Sequence, residues 1–318
     1  MKRIASLTMN PSVDLTMAVE KVLHTRKLRC DHPRRDPGGG GINVARAFHE
    51  LGGTVVAVFP AGGPTGLFLK EILRRQGIEF HHIEFKSLTR ESFSINEIAT
   101  GQQYRFVLPG PILTVEEWES CLERITHLHP VPEYVVASGS LPRGVPDDFY
   151  ARLAVALKES EARLILDTSG EPLRIALKEG VYLVKPNLEE LAELVDENLE
   201  QPAAQEEACL ELIDKGAAEV VALTLGAEGA LLVSKNITIR LPALKVEVSS
   251  AVGAGDSFVA GLTLGLVRDW SLREAFCLGM AAGTAALTSP GTELCQRDDT
   301  ERYFQQICAR VEKIEARG

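Results

Sequence analysis

The sequence predicts an α/β fold built on a mostly parallel sheet with helices on both faces, and three observations carry that prediction. Short apolar runs alternate with stretches of helical periodicity along most of the chain. Several of those runs end in Gly, Ser, Asn or Asp, the polar endings found where a sheet presents its carboxyl edge to a ligand. Two segments break the alternation and read as a small separate sheet.

In chain order, "RIASLTM" reads as the first buried strand; the apolar run is broken by Ser and Thr and stops at Pro11, so the basic start is not taken as a signal peptide. "TVVAVFPAGG", "YVVASGS", "RLILDTSG", "YLVKPN" and "VVALTLG" follow as buried strands. Between them "NVARAFHELG", "GLFLKEILRRQG", "PDDFYARLAVALKES", "LEELAELV" and "AAQEEACLELIDKG" place apolar residues at helical spacing. The two interruptions lie at about 15–36 and 89–108. Both show strand-like alternation, with "ATGQQ" as a hairpin turn, and pair naturally as a small antiparallel sheet, a lid over the larger body. An exposed face on such a lid also invites a second subunit. With no repeat or linker, residues 1–318 read as one domain with a lid.

Bulk properties exclude several functions. Acidic residues outnumber basic ones 44 to 34, a net charge of -10, which argues against broad nucleic-acid binding because that needs basic surface to replace counterions. No window approaches the run of about 18 apolar residues that a membrane span requires. The six cysteines form no close pair, so neither a zinc site nor a disulfide framework is indicated and a reducing cytoplasm fits.

The chain has no Gly-Lys dipeptide and hence no P-loop, and its glycine run does not match a dinucleotide fingerprint. Phosphate chemistry, if present, needs another cradle. "AVGAGDSF", residues 251–258, offers one: Gly253, Ala254 and Gly255 open a helix whose free N–H groups attract an anion, with Asp256 beside them. Taken alone, that stretch is better explained as a plain turn before a helix, since glycines at turns and acids at helix starts are common. "PGGGGINVARAFHELG" enters a second helix, and its glycines, Gly39 among them, leave the backbone open to a ligand, with Asn43 in the first turn. "KPNLEEL" puts Lys185 and Asn187 after a strand; Asn187 and Glu190 form a capping box, or Glu190 holds waters around Mg²⁺. "TLGAEGALL" reads as a strand, a glycine turn and another strand. Asp14 and Ser140 are read at strand ends. Lys27, Arg29, Arg90 and Arg105 fall in the lid segments, where Lys27 and Arg29 alternate about Leu28 and so point to one side of a strand. Paired cations on a lid suit an anionic sugar ester.

Together "PGGGGINVARA", "SGSLPRG", "KPNLEEL", "TLGAEGA" and "VGAGDSFVAGL", in this order and over nearly the whole chain, resemble the ribokinase-like sugar kinases. "NPSVD", "KLRC", "PAGGPTG", "TRESF" and "QYRFVLPG" are similar to the phosphofructokinase B branch of that superfamily. The resemblance implies a three-layer sandwich with a β-sheet lid, a homodimer through the lids, and ATP with Mg²⁺. It implies transfer of the ATP γ-phosphoryl group to fructose-6-phosphate, a step of glycolysis. The uninterrupted Gly38 to Gly41 sets it apart from the 1-phosphofructokinases and tagatose-6-phosphate kinases, which are the alternatives, beside a sugar-phosphate-binding protein without catalysis.

By the same resemblance Asp14, Gly39 and Asn43 hold the sugar hydroxyls near Ser140, and Lys27, Arg29 and Arg90 grip its phosphate. Lys185, Asn187, Thr224, Gly226, Gly229, Met280 and Thr284 line the ATP site; Gly253, Ala254 and Gly255 form the anion hole; Asp256 is the base. Ser250, Val252, Ala286, Ser289 and Gly291 correspond to a monovalent-cation (K⁺) site. Two departures stand out there: Ser289 and Glu293 occupy positions where Asn and Arg are expected, and Val248 replaces a polar residue near the nucleotide.

Overall fold

The computed structural model describes residues 3–160 and 162–315. Strand β1 (Ile4–Leu7) opens the large sheet, while β2 (Ser12–Val19) and β3 (Asp31–Gly38) belong to the small one. Helix α1 (Gly40–Glu50), β4 (Val55–Ala61), α2 (Gly63–Arg75) and β5 (Glu79–Glu84) complete one half of the large sheet. The chain then returns to the small sheet with β6 (Arg90–Glu97) and β7 (Gln103–Val107). Next come α3 (Val115–Thr126), β8 (Tyr134–Ser138), α4 (Phe149–Ser160), β9 (Arg163–Asp167), α5 (Gly170–Glu179), β10 (Val181–Val184), α6 (Leu188–Val195), α7 (Pro202–Asp214) and β11 (Ala218–Thr224). A short 3₁₀ turn over Gly226–Glu228 leads to β12 (Ala230–Ser234) and β13 (Ile237–Leu241), followed by α8 (Ala254–Val267), α9 (Leu272–Thr288) and α10 (Arg297–Glu315).

The nine strands of the large sheet lie in the order β13-β12-β11-β10-β9-β8-β1-β4-β5. They are parallel from β11 to β5, and β12 and β13 add an antiparallel edge. Both faces are covered, so both sets of alternating side chains are apolar. Along β4, Val55, Ala57 and Phe59 join one core with residues of α1, α8 and α9, whereas Val56 and Val58 join the other with residues of α3, α4, α5 and α7. The strand order reverses at β1, with β4 on one side and β8 on the other. Loops leaving such a reversal diverge and open a crevice at the carboxyl edge.

The small sheet runs β3-β2-β6-β7. Its outer pairings are antiparallel, but the central β2–β6 pairing is parallel, because two separate hairpins meet side by side. The turn over "ATGQQ" is present, with Gly101 N–H donating to the Glu97 carbonyl. The reading of Lys27 and Arg29 as strand residues is corrected: residues 20–30 form an irregular connection between β2 and β3, and both side chains are exposed on it. Asp14 is likewise not at the end of β1; it lies within β2. Among the described residues no helix is long and apolar enough to cross a membrane.

Candidate active site

The glycine run sits over the reversal point. A Cβ on Gly40 would stand 2.2 Å from Ser138 Oγ at the end of β8, and one on Gly41 would stand 2.3 Å from the Leu7 carbonyl oxygen at the end of β1. These glycines are thus required first by the protein's own backbone, which passes too close for any side chain, before any ligand is considered. That approach seats the start of α1 on the sheet edge and directs Asn43 outward. Asn43 Nδ2 donates to Asp256 Oδ2 at 2.9 Å, so the two glycine-to-helix entries, 213 residues apart, converge on one carboxylate.

Asp256 lies in the first turn of α8, whose N-cap, Gly253, has φ +75°. A side chain at Gly253 would need the left-handed region, and its Cβ would stand 2.5 Å from Leu294 Cδ2. The positive φ is what reserves the turn for glycine, since the Leu294 tip is flexible and can move aside. A helix terminus alone favours the anion by about 0.3 to 1 kcal/mol. Here the net effect is opposite: burial, with Asp167 and Asp14 adding repulsion, pushes the Asp256 carboxyl up to about 7 against the Asn43 amide and Lys185. Desolvation outweighs the dipole.

Lys185 follows β10 and is ion-paired with Asp167 at 3.1 Å. Burial works against its charge, but Asp167, Glu190 and Asp256 overcome this and raise its pKa. Its Nζ lies 3.8 Å from the Cβ position of Gly255, which puts the ammonium beside the α8 turn. Asn187 and Glu190 form a complete capping box: Asn187 N–H donates to Glu190 Oε2 and Glu190 N–H to Asn187 Oδ1, both at 2.8 Å. Burial leads the forces that raise the Glu190 carboxyl. Asn187 also bridges Thr224 at the end of β11, and Gly226 and Gly229 bracket the turn that follows. Met280 and Thr284 are buried on α9, where the Thr284 hydroxyl donates to the Met280 carbonyl. Gly283 of α9 lies against the α8 turn, its Cβ position 3.3 Å from the Ala254 carbonyl oxygen.

On the lid side, Asp14 accepts from Ser12 Oγ at 2.6 Å. Burial raises its carboxyl against that bond and against Arg90, Arg105 and Arg46. Arg90 is anchored by the Asn10 and Leu108 carbonyls. Asn10 Nδ2 reaches Ser140 Oγ at 3.2 Å, while Asn10 Oδ1 is buried without a partner. Of the residues expected to hold K⁺, Ser250 N–H donates to the Leu287 carbonyl and Val252 N–H to Ser250 Oγ. Ser289 N–H donates to the Ala286 carbonyl, its hydroxyl is spent on the Ala285 and Leu294 carbonyls, and Gly291 lies against Thr16. Val248 is exposed.

Sequence reading did not single out Asp167, which both Lys185 and Ser138 Oγ contact. The signal was available, since "RLILD" is a buried strand ending in Asp. Asn10, Asp36 and Arg46 were also passed over, and nothing local marks them. Among the described residues no group of three or more His, Cys, Asp or Glu side chains is placed to hold a metal ion directly.

Residues 7–299 match the family described as pfkB family carbohydrate kinase. The chain is 50% identical over 303 residues to ATP-dependent 6-phosphofructokinase isozyme 2 of Mycobacterium tuberculosis, covering 95% of this chain and 89% of that protein. It is 41% identical over 308 residues to the protein of the same name from Escherichia coli, covering 96% and 99%. The fold superposes on a crystal structure of phosphofructokinase-2 from E. coli in complex with fructose-6-phosphate with a TM-score of 0.91, at 39% identity over 97% of this chain and 100% of that one. With a match over most of its length and relatives of this similarity along nearly all of it, the chain belongs to the pfkB family of carbohydrate kinases.

Proposed function

We propose that this protein is an ATP-dependent 6-phosphofructokinase, transferring the γ-phosphoryl group of ATP to the C1 hydroxyl of fructose-6-phosphate to give fructose-1,6-bisphosphate and ADP. The observation that carries the reading is the meeting of Asn43 and Asp256 at the N-terminus of α8. A carboxylate raised to about 7 stands beside a turn of free N–H groups, between a sugar-side helix and a phosphate-side helix.

The transition state of phosphoryl transfer is loose, so the protein mainly positions groups and stabilises charge. Asp14, Gly39, Asn43 and Ser140 orient the sugar, and Arg90, with Lys27 and Arg29 on the 20–30 connection, takes its phosphate. Gly253, Ala254 and Gly255 direct N–H groups at the γ-phosphoryl oxygens, where a helix terminus favours negative charge. Lys185 lies by Gly255 and takes the same oxygens. The adenosine lies along Asn187, Thr224, Gly226 and Gly229, with Met280 and Thr284 backing the site from within α9. Asp256 accepts the C1 hydroxyl proton as the oxygen attacks phosphorus and the bond to ADP breaks. A base near the working pH is worth about 10² to 10⁴ in rate.

Asp167 pairs with Lys185, and the charges of Glu190 and Asp256 also act on that ammonium; a lone carboxylate beside the phosphates suits Mg²⁺, which keeps most of its water and needs one or two carboxylates. Glu190 would hold the ion through water, and the ion would neutralise phosphate charge. For K⁺, Ser250, Val252, Ala286, Ser289 and Gly291 remain the candidate loop. The lid supports a homodimer: Phe106 and Val107 on β7 are 53% and 61% exposed, an apolar edge that a second lid would cover.

The test is ADP release from Mg-ATP with fructose-6-phosphate, fructose-1-phosphate, tagatose-6-phosphate and fructose in parallel. The fructose-6-phosphate reaction is expected to have the highest kcat/KM. A preference for fructose-1-phosphate overturns the acceptor, and no ADP with any acceptor overturns the kinase reading.

A further inference from the structure

Asp14 faces Asp36, and Thr16 faces Arg34, across the antiparallel β2–β3 pair. Residues two apart on a strand share a face, so these four side chains lie on one side of the lid. Onto that side comes the loop 289–294 after α9. Thr292 donates to Asp36 Oδ2 at 2.6 Å and lies 3.4 Å from Thr16 Oγ1. Glu293 takes the Arg34 guanidinium, which also grips Asp36 through Nε at 2.9 Å and Nη2 at 3.0 Å. Arg46 of α1, its side chain 10% exposed, completes the cluster 3.6 Å from Asp36. The far end of the same loop rests on the phosphate turn: Leu294 fills the space beside Gly253, and Cys295 N–H donates to Ser257 Oγ at 3.3 Å.

Asp36 is buried and bonded from both sheet and loop, so it fixes their spacing; a partly desolvated ion pair resists separation more than a surface one. Glu293 stands where the family resemblance leads one to expect Arg, and its opposite charge meets Arg34. We propose that Arg34 and Glu293 are positioning residues that clamp β3, the lid strand paired with the one carrying Asp14, to the loop behind Gly253, so that an occupied acceptor site tightens nucleotide binding. The inference rests on the kinase reading above. Neither residue touches a reacting atom; each acts through the rung beside Asp14 and through Leu294.

The experiment measures the affinity of a non-hydrolysable ATP analogue by calorimetry, with and without saturating fructose-6-phosphate. Proteins compared are the wild type, Arg34→Met, Glu293→Gln, the double variant, and Thr292→Val as a neutral probe of the Asp36 bond. In the wild type the acceptor is expected to tighten the analogue about fivefold or more, the usual lower range of coupling between sites. Each single variant should lose most of that factor, and the double variant no more than Arg34→Met, which already removes the Glu293 pair together with the Asp36 bonds. Melting temperatures separate lost coupling from lost folding, and Thr292→Val keeps the test alive should a charge variant not fold. Absent coupling in the wild type, or full coupling in well-folded variants, overturns the clamp. Absence of ADP release from the wild type with any acceptor overturns the kinase reading, whereas turnover with coupling unaffected by the variants removes the clamp alone.

Discussion

Asn43 and Asp256, 213 residues apart, are joined by a 2.9 Å hydrogen bond from the amide of α1 to the carboxylate of α8. Both helices start at glycine-rich turns, so this bond ties the two turns together at one carboxylate; on the proposed reading it holds the base between the two substrates.

Replacing the carboxylate isolates its two effects. Asp256→Asn is expected to lower kcat at least about a hundredfold while leaving affinity for a non-hydrolysable ATP analogue largely intact. Near-normal turnover in a steady-state ADP assay removes Asp256 from the mechanism.

The same variant should be more stable than wild type at alkaline pH. The folded pKa of about 7 exceeds the unfolded value of 3.8, so between them the folded state holds a proton that the unfolded state has lost. Stability from this group is therefore lost as pH rises through that window. At about 1.4 kcal/mol per pH unit the penalty is at most about 4 kcal/mol. Thermal melts should favour Asp256→Asn at pH 8, with the difference vanishing towards pH 4.

The acceptor kcat/KM should rise with pH up to a plateau, with its midpoint near 7, as Asp256 loses its proton. Because the Asn43 amide lowers that pKa, Asn43→Ala should move the limb to higher pH and raise the acceptor KM. An unmoved limb in a pH-rate profile separates Asn43 from the base.

Lys185→Met leaves Asp167 without its ion pair in a site where both side chains are largely covered. Breaking a buried pair costs about 3 to 5 kcal/mol, and loss of the ammonium should also weaken nucleotide binding at least about tenfold. Denaturant unfolding and calorimetry read the two effects separately.

Gly253→Ala forces a side chain into φ +75° and against Leu294. The backbone alone costs about 1 to 2 kcal/mol, and the displaced turn should reduce kcat more than the acceptor KM. A variant with wild-type kcat shows that the turn tolerates a Cβ and does not set the phosphate geometry.

Much of the fold was written locally. Alternating apolar runs, both faces of β4 included, and the Asn187–Glu190 capping box follow from periodicity and from short-range hydrogen bonding, which act over a few residues. The lid was legible as an interruption, but its parallel β2–β6 pairing and the irregular 20–30 connection were not, because register between distant strands is a tertiary matter. Within the site, local sequence sets which residues carry charge and where the backbone turns: Asp256 after Gly253, Asn43 after the glycine run, Lys185 after β10. Long-range packing brings Asn43 to Asp256, Asp167 to Lys185 and Arg34 to Glu293, and makes the Asp256 carboxyl rise rather than fall. Charge is a property of a residue, but desolvation and pairing depend on what the rest of the chain brings within a few ångströms, and no local pattern encodes that.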